Sequence, residues 1–150
     1  MRALIQRVGF ARVRVDDRVV GEIGRGLLIL LGVGRDDTDV DAIYIAGKIR
    51  DLRVFDGEDG KPMDRNVGEV GGTVLVVSQF TLYGDVRKGR RPAFDQAAGA
   101  DAARSLYGVV VRELRSARLP VATGEFQAMM QVELVNDGPV TILVDSKRQF

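Results

Sequence analysis

The sequence contains no cysteine and no histidine. Without cysteine there is neither a disulfide nor a thiolate nucleophile, and without histidine the usual general base of neutral pH, the Ser-His-Asp arrangement and the commonest zinc ligand are all excluded. The acidic residues are scattered along the chain and not gathered at ligand spacing, so the composition predicts no metal and no cofactor. The N-terminus lacks the long apolar stretch of a signal peptide or membrane span, which points to a soluble cytoplasmic protein without membrane contact. Internal repeats and low-complexity tracts are missing as well. Any catalysis has to proceed by a route that uses none of these groups.

What is present fits one domain, residues 1–150, long enough to bury a core without staples. The net charge of +1 says nothing about partners, but the charges are unevenly placed. Between Val86 and Arg118 stand eight basic residues (Arg87, Lys88, Arg90, Arg91, Arg104, Arg112, Arg115, Arg118) against three acidic ones (Asp95, Asp101, Glu113), which leaves the rest of the chain negative. Such asymmetry is what a polyanion-binding face leaves in a nearly neutral protein. Arginines on a solvated helix would leave the same pattern, and charge alone favours that reading.

Hydrophobic periodicity supplies the elements. Val13 and Val15 alternate with Arg12 and Arg14, Asp16-Asp17 supplies a turn, Val19 to Ile23 returns, and Leu27 to Leu31 reads as a buried central strand. Thr38-Asp39-Val40-Asp41 has the form of a capping box, with Ile45, Ile49 and Leu52 spaced for one buried helical face. Residues 56–72 read as a loop excursion within the same domain. A strand is predicted over Thr73 to Leu82 and a helix over about Ala100 to Arg118, its stripe being Ala103, Leu106, Tyr107, Val110 and Leu114, with Pro120 marking its end. Ala128, Met130, Val132 and Leu134 alternate into one late strand and Val140, Ile142 and Val144 into the last. The class is α/β or α+β with a dominant, largely antiparallel sheet.

Three segments are candidates for function. Ser78-Gln79-Phe80-Thr81-Leu82 sets polar side chains at the end of an apolar strand, where backbone N–H groups lose their ladder partners; this suits an oxyanion site, but composition alone favours an ordinary strand end whose hydroxyls satisfy local backbone. Asn136-Asp137-Gly138-Pro139 has the form of a hairpin turn between two alternating strands. Arg87-Lys88-Gly89-Arg90-Arg91-Pro92, with Phe94 after it, is a charged loop close behind Thr81. The glycines of Gly21-Glu22-Ile23-Gly24-Arg25-Gly26 precede a strand instead of leading from one into a helix, which rules out a dinucleotide fingerprint.

Ser78-Gln79-Phe80-Thr81-Leu82 together with Asn136-Asp137-Gly138-Pro139-Val140-Thr141 resembles the paired signatures of the D-aminoacyl-tRNA deacylases, and the likeness runs from Ala3-Leu4-Ile5-Gln6-Arg7-Val8 to the strand after Pro139. The resemblance implies a barrel-like sheet flanked by two main helices and a homodimer that hydrolyses the ester between a D-amino acid and tRNA. It implies that Ser78, Gln79, Phe80 and Thr81 line the active site, with Phe126 and Met130 as its wall. It also implies that Gly138-Pro139 is cis and projects into the partner's site, with Arg7 and Asn136 in support, and that Arg87, Lys88, Arg90 and Arg91 meet tRNA phosphates near the acceptor end. Two other functions fit the same chain: a sister deacylase for other mischarged tRNAs, and a non-catalytic RNA-binding dimer.

Overall fold

A computed structural model describes all residues from Met1 to Phe150. Six strands and two helices follow in the order β1 (Arg2–Val15), β2 (Arg18–Ile23), β3 (Gly26–Gly32), α1 (Asp39–Asp51), β4 (Thr73–Ser78), α2 (Ala100–Ser116), β5 (Val121–Thr123) and β6 (Gln131–Asp145). The long β1 organises the sheet. β6 runs antiparallel along nearly its whole length, while β2 and β3 pair antiparallel with its second and first halves. β4 and β5 then add in parallel beyond β3. The sheet is therefore mixed, with antiparallel pairs in the majority. Its parallel part is built on Leu27–Leu31 and Val74–Val77, continuous apolar runs that alternation cannot orient, with the short β5 at its edge.

β2 folds back over β5: a Cβ added to Gly21 would lie 2.4 Å from Thr123 O, so the approach of the two backbones requires glycine there. This curls the sheet into a nearly closed barrel with a core on each face. Val8, Ala11, Val13, Ile23, Leu28, Leu75 and Val77 fill its inside. The larger core lies under the helices and takes Ile5, Leu27, Ile29 and Val76 from the sheet, Ile45 and Ile49 from α1, and Val110 and Leu114 from α2.

The helix signals read from sequence hold. The Thr38 N–H donates to Asp41 Oδ2 at 2.8 Å, closing the capping box of α1. The second helix stops at Ser116, two residues before the predicted end, because Arg118 turns left-handed at φ +64° and Leu119 N reaches back to Leu114 O at 3.2 Å. Residues 52–72 carry no helix or strand, but the excursion is tied down by Phe55 and Val67, both buried, and by a bridge from Phe55 to Arg65.

The late strand begins at Gln131, which leaves Ala128 and Met130 in an irregular segment outside the predicted alternation, and two further differences from the sequence reading fall at the candidate segments. The strand predicted to run to Leu82 ends at Ser78, and Phe80–Tyr83 form a single 3-10 turn. The predicted hairpin at Asn136–Pro139 is no hairpin. β6 is one strand whose two halves both pair with β1, Val8 with Asn136 and Gln6 with Thr141, so residues 137–140 are extruded as a wide bulge opposite the single residue Arg7. Alternation on both sides of the Asp-Gly pair is the same for a hairpin and for a bulge, and only the pairing distinguishes them.

Candidate active site

At the end of β4, Gln79 N still donates to Leu31 O at 2.8 Å, and there the ladder stops. The 3-10 turn that follows closes through Leu82 N to Gln79 O and Gly84 N to Thr81 O, so the N–H groups of Phe80 and Thr81, first in the turn, have no carbonyl within it to receive them. They are the kind of preorganised donor pair that a developing oxyanion needs. Thr81 Oγ1 accepts a hydrogen bond from Gln79 Nε2, which orients the hydroxyl without removing its proton. Phe80 stands 56% exposed and packs edge-on against Phe94, with ring centroids 5.0 Å apart.

The turn is held from behind by a residue the sequence did not single out. Arg2 donates from Nη1 to Leu82 O at 3.0 Å and from Nε to Asp145 Oδ2 at 3.1 Å, and its guanidinium lies over the Tyr83 ring. Nothing in the pattern Met1-Arg2-Ala3 announces this, since an arginine at the start of a strand is usually solvated.

Phe126 and Met130 lie beyond β5, the strand next to β4, in an irregular segment that precedes β6. Phe126 sits between Tyr107, at a centroid distance of 5.9 Å, and the Arg104 guanidinium at 4.6 Å. The Tyr107 hydroxyl donates to Val76 O at 2.9 Å, and burial pushes its pKa up to about 12, so it remains a donor at any ordinary pH. Met130 is half-buried and packs against the inner core.

The basic loop is an excursion pinned at its base, where Asp85 and Ala93 exchange backbone hydrogen bonds at 2.8 and 2.9 Å. Arg87 turns back onto Asp85, whose pKa its hydrogen bonds lower to about 2. Lys88, Arg90 and Arg91 form no ion pair and are exposed.

The bulge is the most heavily braced of these segments. The Gly138-Pro139 bond is cis, and Gly138 has φ +125°, a conformation that side-chain-bearing residues rarely adopt. Arg7 donates from Nε to Asp137 O at 3.2 Å and from Nη1 to Val54 O at 2.6 Å, and pairs with the Asp137 carboxylate at 3.2 Å. Asn136 spans the neck, donating to Arg7 O at 2.9 Å and to Val140 O at 3.0 Å.

Within one chain, the two signature segments do not meet. The register sets Arg7 level with Leu27 and Val74, and Leu31 level with Ser78. At about 3.3 Å per residue, the bulge therefore lies about 13 Å down the strands from Ser78, and three strand spacings from β6 to β4 add about 14 Å across the sheet. A cavity of about 570 Å³ does lie beside the turn, lined by Arg2, Asp37, Tyr83, Asp85, Arg87 and Lys147 among others, but it includes no residue of Ser78–Thr81 or of the bulge. No group of three acidic side chains converges as metal ligands would.

A family model described as D-Tyr-tRNA(Tyr) deacylase matches residues 4–145. Among curated relatives, the D-aminoacyl-tRNA deacylase of Koribacter versatilis (strain Ellin345) is 58% identical over 150 residues, the full length of both chains. That of Heliobacterium modesticaldum (strain ATCC 51547 / Ice1) is 60% identical over 147 residues, covering 98% of this chain and 97% of its own. A solved structure titled c-Myc DNA Unwinding Element Binding Protein superposes with a TM-score of 0.91 at 39% identity, over 97% of this chain and 98% of its own. A probable eukaryotic D-amino acid tRNA deacylase shares the fold, with a TM-score of 0.79 at 22% identity over 95% and 97% of the two chains. Matched over nearly its entire length by that model and by full-length relatives, the chain belongs to the D-Tyr-tRNA(Tyr) deacylase family, hydrolases of the aminoacyl ester bond.

Proposed function

We propose that this protein hydrolyses D-aminoacyl-tRNA as a homodimer, each active site joining the Ser78–Thr81 segment of one subunit to the Gly138-Pro139 bulge of the other. The carrying observation is the separation of the two segments within one chain. Neither is complete alone, and they lie too far apart to hold one amino acid between them. A second copy supplies the missing half. The edge that β6 presents suits such a partner: it is fifteen residues long, pairs only with β1, and exposes Val135 and Leu143.

In this arrangement water attacks the ester carbonyl, the bond to the terminal ribose oxygen breaks, and that oxygen takes up a proton. The N–H groups of Phe80 and Thr81 hold the tetrahedral oxyanion; loss of one such donor typically costs about 3 to 4 kcal/mol of transition-state stabilisation. No imidazole is present to activate a side-chain nucleophile, so water acts with help from the ribose 2′-hydroxyl, and Ser78, Gln79 and Thr81 order the site. The bulge carbonyls face the α-carbon and leave room for hydrogen alone on the side where an L-residue carries its side chain. Phe126 and Met130 bound the pocket, while Lys88, Arg90 and Arg91 meet acceptor-end phosphates.

The experiment mixes a subunit altered at Gly138 with one carrying Phe80→Pro, which removes one of the two oxyanion N–H groups at the first position of the turn, where proline is tolerated. Each homodimer should be inactive, and the mixed dimer should regain part of the activity through its one intact composite site. No recovery would sink the cross-subunit reading. The unpaired basic loop also favours a second function, RNA binding without catalysis. Release of labelled D-Tyr from D-Tyr-tRNA decides against it in one step.

A further inference from the structure

A relay of side chains closes the neck of the bulge. Gln6 Nε2 donates to Thr141 Oγ1 at 3.3 Å, Thr141 Oγ1 donates to Asn136 Oδ1 at 3.2 Å, and the Asn136 amide donates to Arg7 O and Val140 O. What each atom carries sets the direction of every bond. Both backbone carbonyls only accept, so the amide must turn its nitrogen to them and its oxygen to Thr141. The single hydroxyl proton of Thr141 then goes to that oxygen, leaving a lone pair for Gln6. Reversing the amide would set Oδ1 against two carbonyl oxygens. Asn136 and Thr141 are also the two residues at which pairing with β1 stops and resumes around the bulge.

We infer that Thr141, oriented by Gln6, is a positioning residue. By holding the Asn136 amide in one orientation, it fixes where the Gly138 and Pro139 carbonyls stand and thereby sharpens the discrimination between D- and L-aminoacyl esters. This inference rests on the reading of the bulge as the chiral filter. A filter that works by clash tolerates only about 0.5 Å of misplacement, so a loosened neck degrades selectivity before it degrades folding. Thr141 is exposed within one chain, on the face of β6 that also carries Leu143, so the dimeric state of each variant is measured beside its selectivity to keep the two effects separable.

The test compares Thr141→Val, close in shape but without the hydroxyl, with Thr141→Ser, which keeps it. Two further quantities are measured on each protein: exchange of the Asn136 side-chain amide protons by NMR, and the ratio of D-Tyr-tRNA to L-Tyr-tRNA hydrolysis rates. In Thr141→Val the amide protons should exchange about tenfold faster and the D-over-L ratio should fall about tenfold, with both restored in Thr141→Ser. Gln6→Ala should move both the same way by a few-fold, and carries the test if the valine variant does not fold. An Asn136 amide that stays protected in the folded variants overturns the relay. An amide set free while the ratio is unchanged overturns the positioning role. Wild-type protein that releases no D-Tyr defeats the deacylase reading and the selectivity role together, while amide exchange still reports on the relay.

Discussion

Thr81 is the natural nucleophile by residue type, and its surroundings argue against that part. Its hydroxyl accepts from the Gln79 amide, and no carboxylate or imidazole reaches it to take the proton. Thr81→Ala should therefore leave appreciable hydrolysis, whereas loss of a covalent nucleophile would remove nearly all of it. An acyl ester trapped on Thr81 would overturn the water mechanism. Gly138 and Pro139 make the complementary prediction about substrate. Glycyl-tRNA has hydrogen on both sides of its α-carbon, so a filter built only on clash cannot refuse it and the protein should cleave Gly-tRNA. L-Ala adds one methyl on the forbidden side and should be refused, since overpacking a tight site costs about 1 to 3 kcal/mol or more. Gly-tRNA that survives while D-Ala-tRNA is cleaved would mean the pocket recognises the D side chain directly.

Among the elements, the basic loop and the bulge show how far the sequence could be read. Eight basic residues between Val86 and Arg118 look alike in sequence, but the structure gives them different surroundings: Arg87 is neutralised by Asp85, Arg104 lies on Phe126, and Lys88, Arg90 and Arg91 remain unpaired. Replacing Lys88, Arg90 and Arg91 by alanine should flatten the salt dependence of tRNA binding by roughly one unit of slope for each phosphate left without its cation, and Arg87→Ala should contribute less. A slope unchanged by the triple replacement would make the loop a solvated surface. The capping box at Thr38 and Asp41, the stripe of α2 and the excursion over 56–72 were legible because each depends on neighbours in sequence. The end of β4 and the bulge in β6 were not, because both are set by pairing with strands far along the chain. Arg2 and the Val54 carbonyl, which brace the turn and the bulge, carry no local signal at all.

At the scale of the whole molecule, the two ends of the chain are tied to the start of α1 by one polar cluster. The Met1 ammonium meets Asp37 Oδ1 at 2.7 Å and Ser146 Oγ at 2.6 Å, and Asp41 takes hydrogen bonds from Ser146 at 2.7 Å and Lys147 at 2.9 Å. Through Arg2 the same region braces the Phe80–Tyr83 turn, so the stability of the termini and the geometry of the site are linked. Burial alone would raise the Asp41 carboxyl, but the hydrogen bonds from Lys147, Ser146 and the Thr38 N–H outweigh it and hold the group well below the usual carboxylate range. A carboxyl whose pKa is lower in the folded than in the unfolded chain stabilises the fold when ionised. That contribution is whole above the unfolded value near pH 4 and is lost as the pH falls through the folded value. Asp41→Asn should therefore cost about 2 kcal/mol at pH 7, a shift of several degrees in Tm, since hydrogen bonds to a charged group are removed. Below about pH 4 the wild-type protein progressively loses the same contribution, and the two melting temperatures should converge. A Tm difference that stays constant from pH 7 to about pH 2 would show that the ionised Asp41 is not what fastens the ends of the chain.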